Sequence, residues 1–205
     1  MNTSIKDRDA LVILKPDGEF HLGLDQEFYT TKWKRLSGCG PTAASNLYLY
    51  HLPRLDRNRT MEEGLAIMDE IWKYVTPRFG GGVKNTKIFT DGMSAFLRDQ
   101  GKSFTVDVID VPKKKELRKP LVEVREFVRQ AIDEDLPIAF LNLHNGEEKQ
   151  LDAWHWVTVV GIEMSTKDEM YLDIFDGGKL ISVNLDQWYA KTKDGGGFVV
   201  YRIQD

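Results

Sequence analysis

Large apolar residues recur at every third or fourth position over 60–76, as they do on the buried face of an α-helix. They are Leu65, Met68, Ile71, Trp72 and Val75. Thr60 opens this stretch, and Glu63 follows three residues later, which is the pairing that caps a helix N-terminus reciprocally. Pro77 ends the helix, because proline lacks the N–H group that a helix interior needs. Similar patterning predicts further helices over 41–51, 93–98 and 121–134, and a helical turn at 186–190.

The last third of the chain has the pattern of strands. Short apolar runs separated by turn-forming residues predict strands over 137–143, 154–162, 170–175, 180–183 and 197–203. Earlier in the chain, strands are predicted at 10–14 and 103–111. Helices followed by consecutive strands favour an antiparallel sheet and the α+β class. We therefore expect one domain over 1–205, mainly helical over 1–135 and mainly antiparallel sheet over 136–205.

Composition and charge narrow the classes of partner. The chain is 41% hydrophobic and 29% charged, which is ordinary for a globular protein, and its net charge is −4. A net negative charge gives no overall basic surface, so nucleic acid is not an expected partner. No apolar run approaches the ~20 residues of a membrane span, and the first nine residues lack the apolar core of a signal peptide. We expect a cytoplasmic protein without membrane insertion, and the sequence leaves its oligomeric state open.

The single cysteine, Cys39, lies just before a predicted helix. Gly38 and Gly40 leave the sulfur little cover and allow a tight turn, while Pro41 suits the first turn of a helix. A thiol at a helix N-terminus meets N–H groups and the positive end of the dipole, and both favour the thiolate. One cysteine permits neither an internal disulfide nor a cysteine-rich zinc site, and we expect no metal and no cofactor. Cys39 is thus either a structural residue of a turn or an activated nucleophile.

Two residues of the predicted sheet can complete a catalytic set with this thiol. His155 opens the strand over 154–162, where the sheet would hold its ring rigidly at the edge of a cleft. Asp176 follows the strand over 170–175, so a hairpin of the two strands places it beside His155. Cysteine, histidine and aspartate then fit the roles of nucleophile, base and orienting group. The alternative is a core histidine and a turn aspartate with structural roles only.

The other histidines are less suggestive. His21 and His51 lie among polar connecting residues, and we expect them to be ordinary surface or helix-end residues. His144 belongs to the turn signal His144-Asn145-Gly146.

Three short motifs resemble those of the papain-like cysteine peptidase superfamily. They are Cys39-Gly40-Pro41-Thr42-Ala43-Ala44, the strand opening His155-Trp156-Val157, and Asp176 before a glycine pair. Within the superfamily the chain is most similar to bacterial double-glycine peptidases, the leader-removing domains of bacteriocin exporters and their stand-alone relatives. The resemblance extends over about 29–203. It implies a papain-like fold, with a helical part carrying Cys39 packed on an antiparallel sheet carrying His155 and Asp176, and a peptide or protein substrate.

The chain departs from this family pattern at one position. The superfamily generally has a glutamine about six residues before the cysteine, where its side chain donates to the oxyanion. Trp33 occupies that position here, followed by Lys34. The backbone N–H of Cys39 can serve as one donor, joined by the Trp33 indole N–H or the Lys34 ammonium. Losing one such donor typically costs ~10² to 10³ in rate.

Several functions fit this constellation. The leading interpretation is a thiol hydrolase, a cysteine peptidase that cleaves a peptide or other amide through a thioester at Cys39. Acyl transfer or deamidation would use the same residues, because only the acceptor differs. A third possibility, of another class, is a catalytically silent papain-like domain that binds a peptide, for which the missing glutamine is the best argument.

Overall fold

A computed structural model describes residues 2–78, 80 and 82–204 of the chain. The α-helices in these ranges are α1 (Lys32–Ser37), α2 (Cys39–His51), α3 (Met61–Trp72), α4 (Thr86–Asp99), α5 (Leu121–Asp133) and α6 (Leu185–Lys191). The strands are β1 (Asn2–Ser4), β2 (Val12–Leu14), β3 (Phe20–Leu22), β4 (Arg59–Thr60), β5 (Ser103–Val111), β6 (Ile138–Asn142), β7 (His155–Met164), β8 (Met170–Asp176), β9 (Lys179–Asn184) and β10 (Gly196–Gln204). No helix among the described residues is long and apolar enough to cross a bilayer.

The main sheet has the order β5-β10-β6-β7-β8-β9, and its neighbouring strands are all antiparallel. Strand β1 pairs with β7 beyond the point where β6 ends. Strands β3, β2 and β4 form a smaller sheet, in which β2 and β4 are parallel. Helices combined with a mostly antiparallel sheet confirm the α+β class.

Helix α2 is buried on almost every side. Its residues from Gly40 to Leu47 are all buried, and it packs on β7 and β6. Small residues make this possible, since a side chain at Gly40 would come within 2.7 Å of Val83. Apolar residues of α2 share one core with Trp156 of β7 and Val199 of β10. The helix is therefore fixed against the sheet, and the position of its N-terminus is fixed with it.

The opposite face of the main sheet is covered as well. Successive residues of a strand point to opposite faces, and Val157, next to Trp156, belongs to a second core. That core includes Val124 and Val128 of α5 and Trp188 of α6. Strand β7, which begins at His155, thus runs through the middle of a sheet packed on both faces.

Most predicted elements are present, with shifted bounds. The reciprocal cap of α3 by Thr60 and Glu63 is confirmed. Helix α4 begins at Thr86, well before the predicted start, because the Asn85 side chain caps it by accepting from the N–H of Ile88. The strand predicted at 10–14 is reduced to β2, since a 3₁₀ turn occupies 8–11. Strand β5 is present and joins the main sheet, whereas α1, β1, β3 and β4 have no counterpart in the sequence-based prediction.

Candidate active site

Cys39 is the first residue of α2, and only Gly38 separates it from α1. The chain is tightly packed at this junction. A side chain at Gly38 would lie 2.4 Å from the carbonyl oxygen of Lys34 and 2.7 Å from the ring of Tyr29. The thiol itself is half-buried. The two glycines around Cys39 are therefore required by close packing, and the sulfur is placed in the first turn of a fixed helix.

His155 and Asp176 meet across the β7–β8 hairpin. The two strands are antiparallel, with Thr158 opposite Phe175, so the start of β7 lies beside the end of β8. Nε2 of His155 lies 2.9 Å from Oδ1 of Asp176. Because Asp176 engages Nε2, the other ring nitrogen, Nδ1, is the one left to face the thiol. The sequence-based expectation that the hairpin brings these two residues together matches their placement.

The Cys39 thiol and the His155 ring line the same pocket. Burial acts to lower the pKa of His155, but the hydrogen bond to Asp176, the nearby Cys39 sulfur and the negative charge of Asp176 raise it to about 10. The imidazole is therefore held as imidazolium at neutral pH, between a carboxylate and a sulfur. The pocket therefore holds a positive charge on the ring that it shares with the Cys39 sulfur.

This charge state predicts how stability varies with pH. In the unfolded chain His155 loses its proton near its ordinary pKa of 6.5, whereas in the fold it keeps the proton up to about pH 10. The folded state binds more protons between these limits, so the stability from His155 is complete below pH 6.5 and declines as pH rises towards 10. Urea unfolding at pH 6, 7.5 and 9 should show a smaller decline for His155→Gln than for the unchanged protein. Equal declines would contradict the assignment.

Gln26 lines the same pocket as Cys39, His155 and Asp176. It begins a 3₁₀ turn, Gln26–Phe28, and its Oε1 atom is buried with no hydrogen-bond partner among the described residues. A buried polar atom without a partner calls for an explanation, and here it belongs to a residue that lines the pocket of Cys39 and His155. Rotation of the terminal amide exchanges oxygen and nitrogen, so the same side chain can present N–H to that pocket.

Sequence reasoning missed Gln26 because it looked for a glutamine close to the cysteine. Gln26 is the only glutamine before Cys39, and α1 occupies part of the chain between them. A search for any upstream glutamine next to a capping residue would have found it, since Asp25 accepts from the N–H of Glu27 and caps the 3₁₀ turn.

The two sequence-based candidates for the oxyanion donor lie elsewhere. The Lys34 ammonium is 2.6 Å from Oδ1 of Asp69 and lies over the rings of Tyr29 and Trp72. Trp33 lines a groove on the surface rather than the pocket that contains His155. Neither residue lines the pocket of Cys39 and His155, whereas Gln26 does, so Gln26 is the stronger candidate for the donor.

Cys39 also lines that groove, an open and largely apolar depression with a volume of about 420 Å³. Its walls include Trp33, Leu36, Val83, Leu143 and Trp154. Trp154, directly before His155, has φ +59° and is 62% exposed. A left-handed conformation costs a non-glycine residue roughly 1–2 kcal/mol, so the chain holds this indole at the groove against a conformational preference. The thiol is thus placed between a polar pocket and an apolar groove.

Asn46 of α2 links the parts of this site. Its Oδ1 accepts from the N–H of Leu24 at 2.8 Å, and its Nδ2 donates to Oγ1 of Thr158 at 3.1 Å. One buried amide therefore joins the helix of Cys39, the segment that leads to Gln26 and the strand of His155.

Comparison of the chain with known protein families and with curated proteins finds no match.

Proposed function

We propose that this chain is a papain-like thiol hydrolase that cleaves a peptide or another amide bond through a thioester at Cys39. The observation that supports this most directly is that Cys39, His155 and Asp176 line one pocket, where His155 and Asp176 are hydrogen-bonded at 2.9 Å. The arrangement of a buried helix that carries the cysteine on an antiparallel sheet that carries the histidine and aspartate agrees with a papain-like fold.

The first half of the reaction follows from these positions. The Cys39 thiolate attacks the carbonyl carbon of the substrate, and the carbonyl oxygen becomes an oxyanion in the polar pocket. The Gln26 amide and the backbone N–H of Cys39 donate hydrogen bonds to that oxyanion. The tetrahedral intermediate then expels the amine, which takes its proton from the His155 imidazolium. A thioester and a neutral imidazole remain.

The second half returns the enzyme to its starting state. His155 now removes a proton from water, and the resulting hydroxide attacks the thioester carbon. Collapse of this second tetrahedral intermediate releases the carboxylic acid and regenerates the thiolate beside an imidazolium. Asp176 takes no part in bond making, but its hydrogen bond to Nε2 keeps Nδ1 directed at the sulfur throughout. An amine in place of water would give acyl transfer from the same thioester.

The position of Gln26 weakens the case for a catalytically silent peptide-binding domain. That reading depended on the absence of a glutamine donor near Cys39. Gln26 lines the pocket with Cys39 and His155, so the pocket has a candidate for each role that acyl transfer needs, namely nucleophile, base and oxyanion donor.

Alkylation of Cys39 by iodoacetamide at pH 6 tests the proposal. An ordinary thiol, with a pKa of about 8.5, is almost entirely protonated and unreactive at this pH. We expect stoichiometric labelling of Cys39, with a rate well above that of glutathione, and a rate close to that of glutathione in His155→Gln. Mass spectrometry of the intact protein measures both. Labelling of the unchanged protein no faster than glutathione would rule out an activated nucleophile.

A further inference from the structure

A second histidine–aspartate pair lies next to the first one. Nε2 of His21 is 3.4 Å from Oδ2 of Asp25, and both side chains are largely buried. Asp25 lines the pocket together with Cys39 and His155, and its carboxylate interacts electrostatically with His155. The sequence suggested an ordinary surface or helix-end residue at His21, whereas the structure buries most of its side chain against Asp25, which lines the pocket.

The surroundings of this pair favour an imidazolium and a carboxylate. Nδ1 of His21 lies 2.9 Å from the carbonyl oxygen of Gly23, so both ring nitrogens face oxygen acceptors. The adjacent Asp25 carboxylate raises the pKa of His21, against burial and the charge of Lys15 on the preceding turn. Burial acts to raise the pKa of Asp25, but His21, the N–H of Glu27 and the charge of His155 lower it.

The His21 ring contacts the segment of Gln26 on both sides. Asp25 comes directly before Gln26, and the ring of Phe28, at the end of the same 3₁₀ turn, meets the His21 ring edge-on at 4.9 Å. Together with the contact to Gly23, His21 thus holds three points along this short segment.

The Nε2 side of the His21 ring, which faces Asp25, also lies against the glycine turn that follows Asp176. A side chain at Gly178 would be 2.4 Å from Nε2 of His21, and Gly178 forms a backbone bridge with Leu22. The ring therefore occupies the space that a side chain at Gly178 would need. It connects the Gln26 segment to the turn that places Asp176.

We infer that His21 and Asp25 are positioning residues, an ion pair that holds the Gln26 amide in the oxyanion site and sets this segment against the Asp176 turn. The inference rests on the proposed function and extends it to a second pair of residues. Asp25 contributes in two ways, because it caps the 3₁₀ turn through Glu27 and adds a negative charge near the His155 imidazolium.

Two probes of the same sulfur separate this role from a general effect on the thiol. Iodoacetamide alkylates Cys39 by direct displacement of iodide, with no oxyanion. p-Nitrophenyl acetate acylates Cys39 through a tetrahedral oxyanion, forms the S–acetyl bond and expels p-nitrophenolate. A residue that positions the oxyanion donor should affect acylation selectively. Cys39→Ala gives the background for both reactions, since the chain has no other cysteine.

We expect His21→Ala to slow acylation by on the order of 10-fold, because a misplacement of the Gln26 amide by about 1 Å can lower a rate by up to 10²-fold. The rate of alkylation should stay within twofold of that of the unchanged protein. Asp25→Asn should act in the same direction while keeping the fold, because asparagine also caps a helical turn. In a Gln26→Ala background, adding His21→Ala should change acylation by less than twofold, since the group that it positions is gone. Phe20→Ala, one residue away with a 66% exposed side chain, is the matched control and should leave both rates unchanged.

Two results would overturn the inference while leaving the proposed function intact. One is normal acylation in both His21→Ala and Asp25→Asn. The other is an equal loss of acylation with and without Gln26, which would show that the pair does not act through that amide. A thiol that iodoacetamide fails to label at pH 6 in the unchanged protein would instead reject the proposed function itself. Circular dichroism of each variant confirms that it is folded before its rates are compared.

Discussion

Cys39→Ala is expected to abolish turnover of p-nitrophenyl acetate and of any peptide substrate found in a fluorogenic library. The thioester cannot form without the sulfur, and loss of a catalytic nucleophile in a comparable hydrolase costs about 10⁶-fold in kcat. Cys39→Ser keeps nearly the same shape and should be almost as inactive, because a hydroxyl is not ionised by an adjacent imidazolium. Initial rates at a saturating substrate concentration measure both variants.

His155→Gln should approach the loss seen for Cys39→Ala, since in the proposed mechanism the same ring takes the proton of the thiol and gives it to the leaving amine. Asp176→Asn should cost less, because Asp176 orients the ring and makes no bond to substrate. His144→Gln is the matched control, a histidine in a turn that does not line the pocket of Cys39. Turnover that persists in Cys39→Ala would refute the covalent mechanism.

Gln26→Ala is expected to lower kcat by ~10² to 10³, the usual effect of removing one oxyanion donor. Alkylation by iodoacetamide should be unchanged, because that reaction develops no oxyanion. Gln26→Glu keeps the size of the side chain but replaces its N–H donor by a carboxylate, so it should be at least as impaired. Gln130→Ala, on the exposed surface of α5, is the control.

Two other outcomes for Gln26→Ala would contradict its role as the oxyanion donor. If Gln26→Ala retains full activity, the donor lies elsewhere, and the indole of Trp33 is the next group to test with Trp33→Phe. A decrease in alkylation equal to the decrease in kcat would show that Gln26 supports the thiol and not the oxyanion.

The sequence predicted the features of the site that depend on local pattern. His155 opens a strongly apolar strand, and Asp176 ends the next one, so a single hairpin determines their proximity. Cys39 stands between two glycines before a helix. In each case the residues that decide the conformation are neighbours in sequence, and short-range rules for strands, turns and helix starts were sufficient.

The sequence did not predict the features that depend on contacts between distant segments. Gln26 reaches the pocket because Asn46 fixes the segment before it, and nothing near Gln26 in sequence announces this contact. Lys34 lies five residues before the cysteine in sequence, but Asp69 on α3 binds its ammonium. In the sequence, His21 has the pattern of a polar loop residue, and nothing there predicts that the glycine turn at Gly178 packs against its ring.

The place of β10 in the main sheet bears on how the chain folds. Among the described strands, β10 is the last in sequence, yet it lies between β5 and β6 and is the one partner of β5 in the sheet. The β7–β8 hairpin can form from local contacts, whereas β5 can pair only with β10, which is far away along the chain. Pairings across such sequence distances slow folding. We therefore expect β7 and β8 to gain hydrogen-exchange protection early in refolding, and the β5–β10–β6 ladder to gain it last.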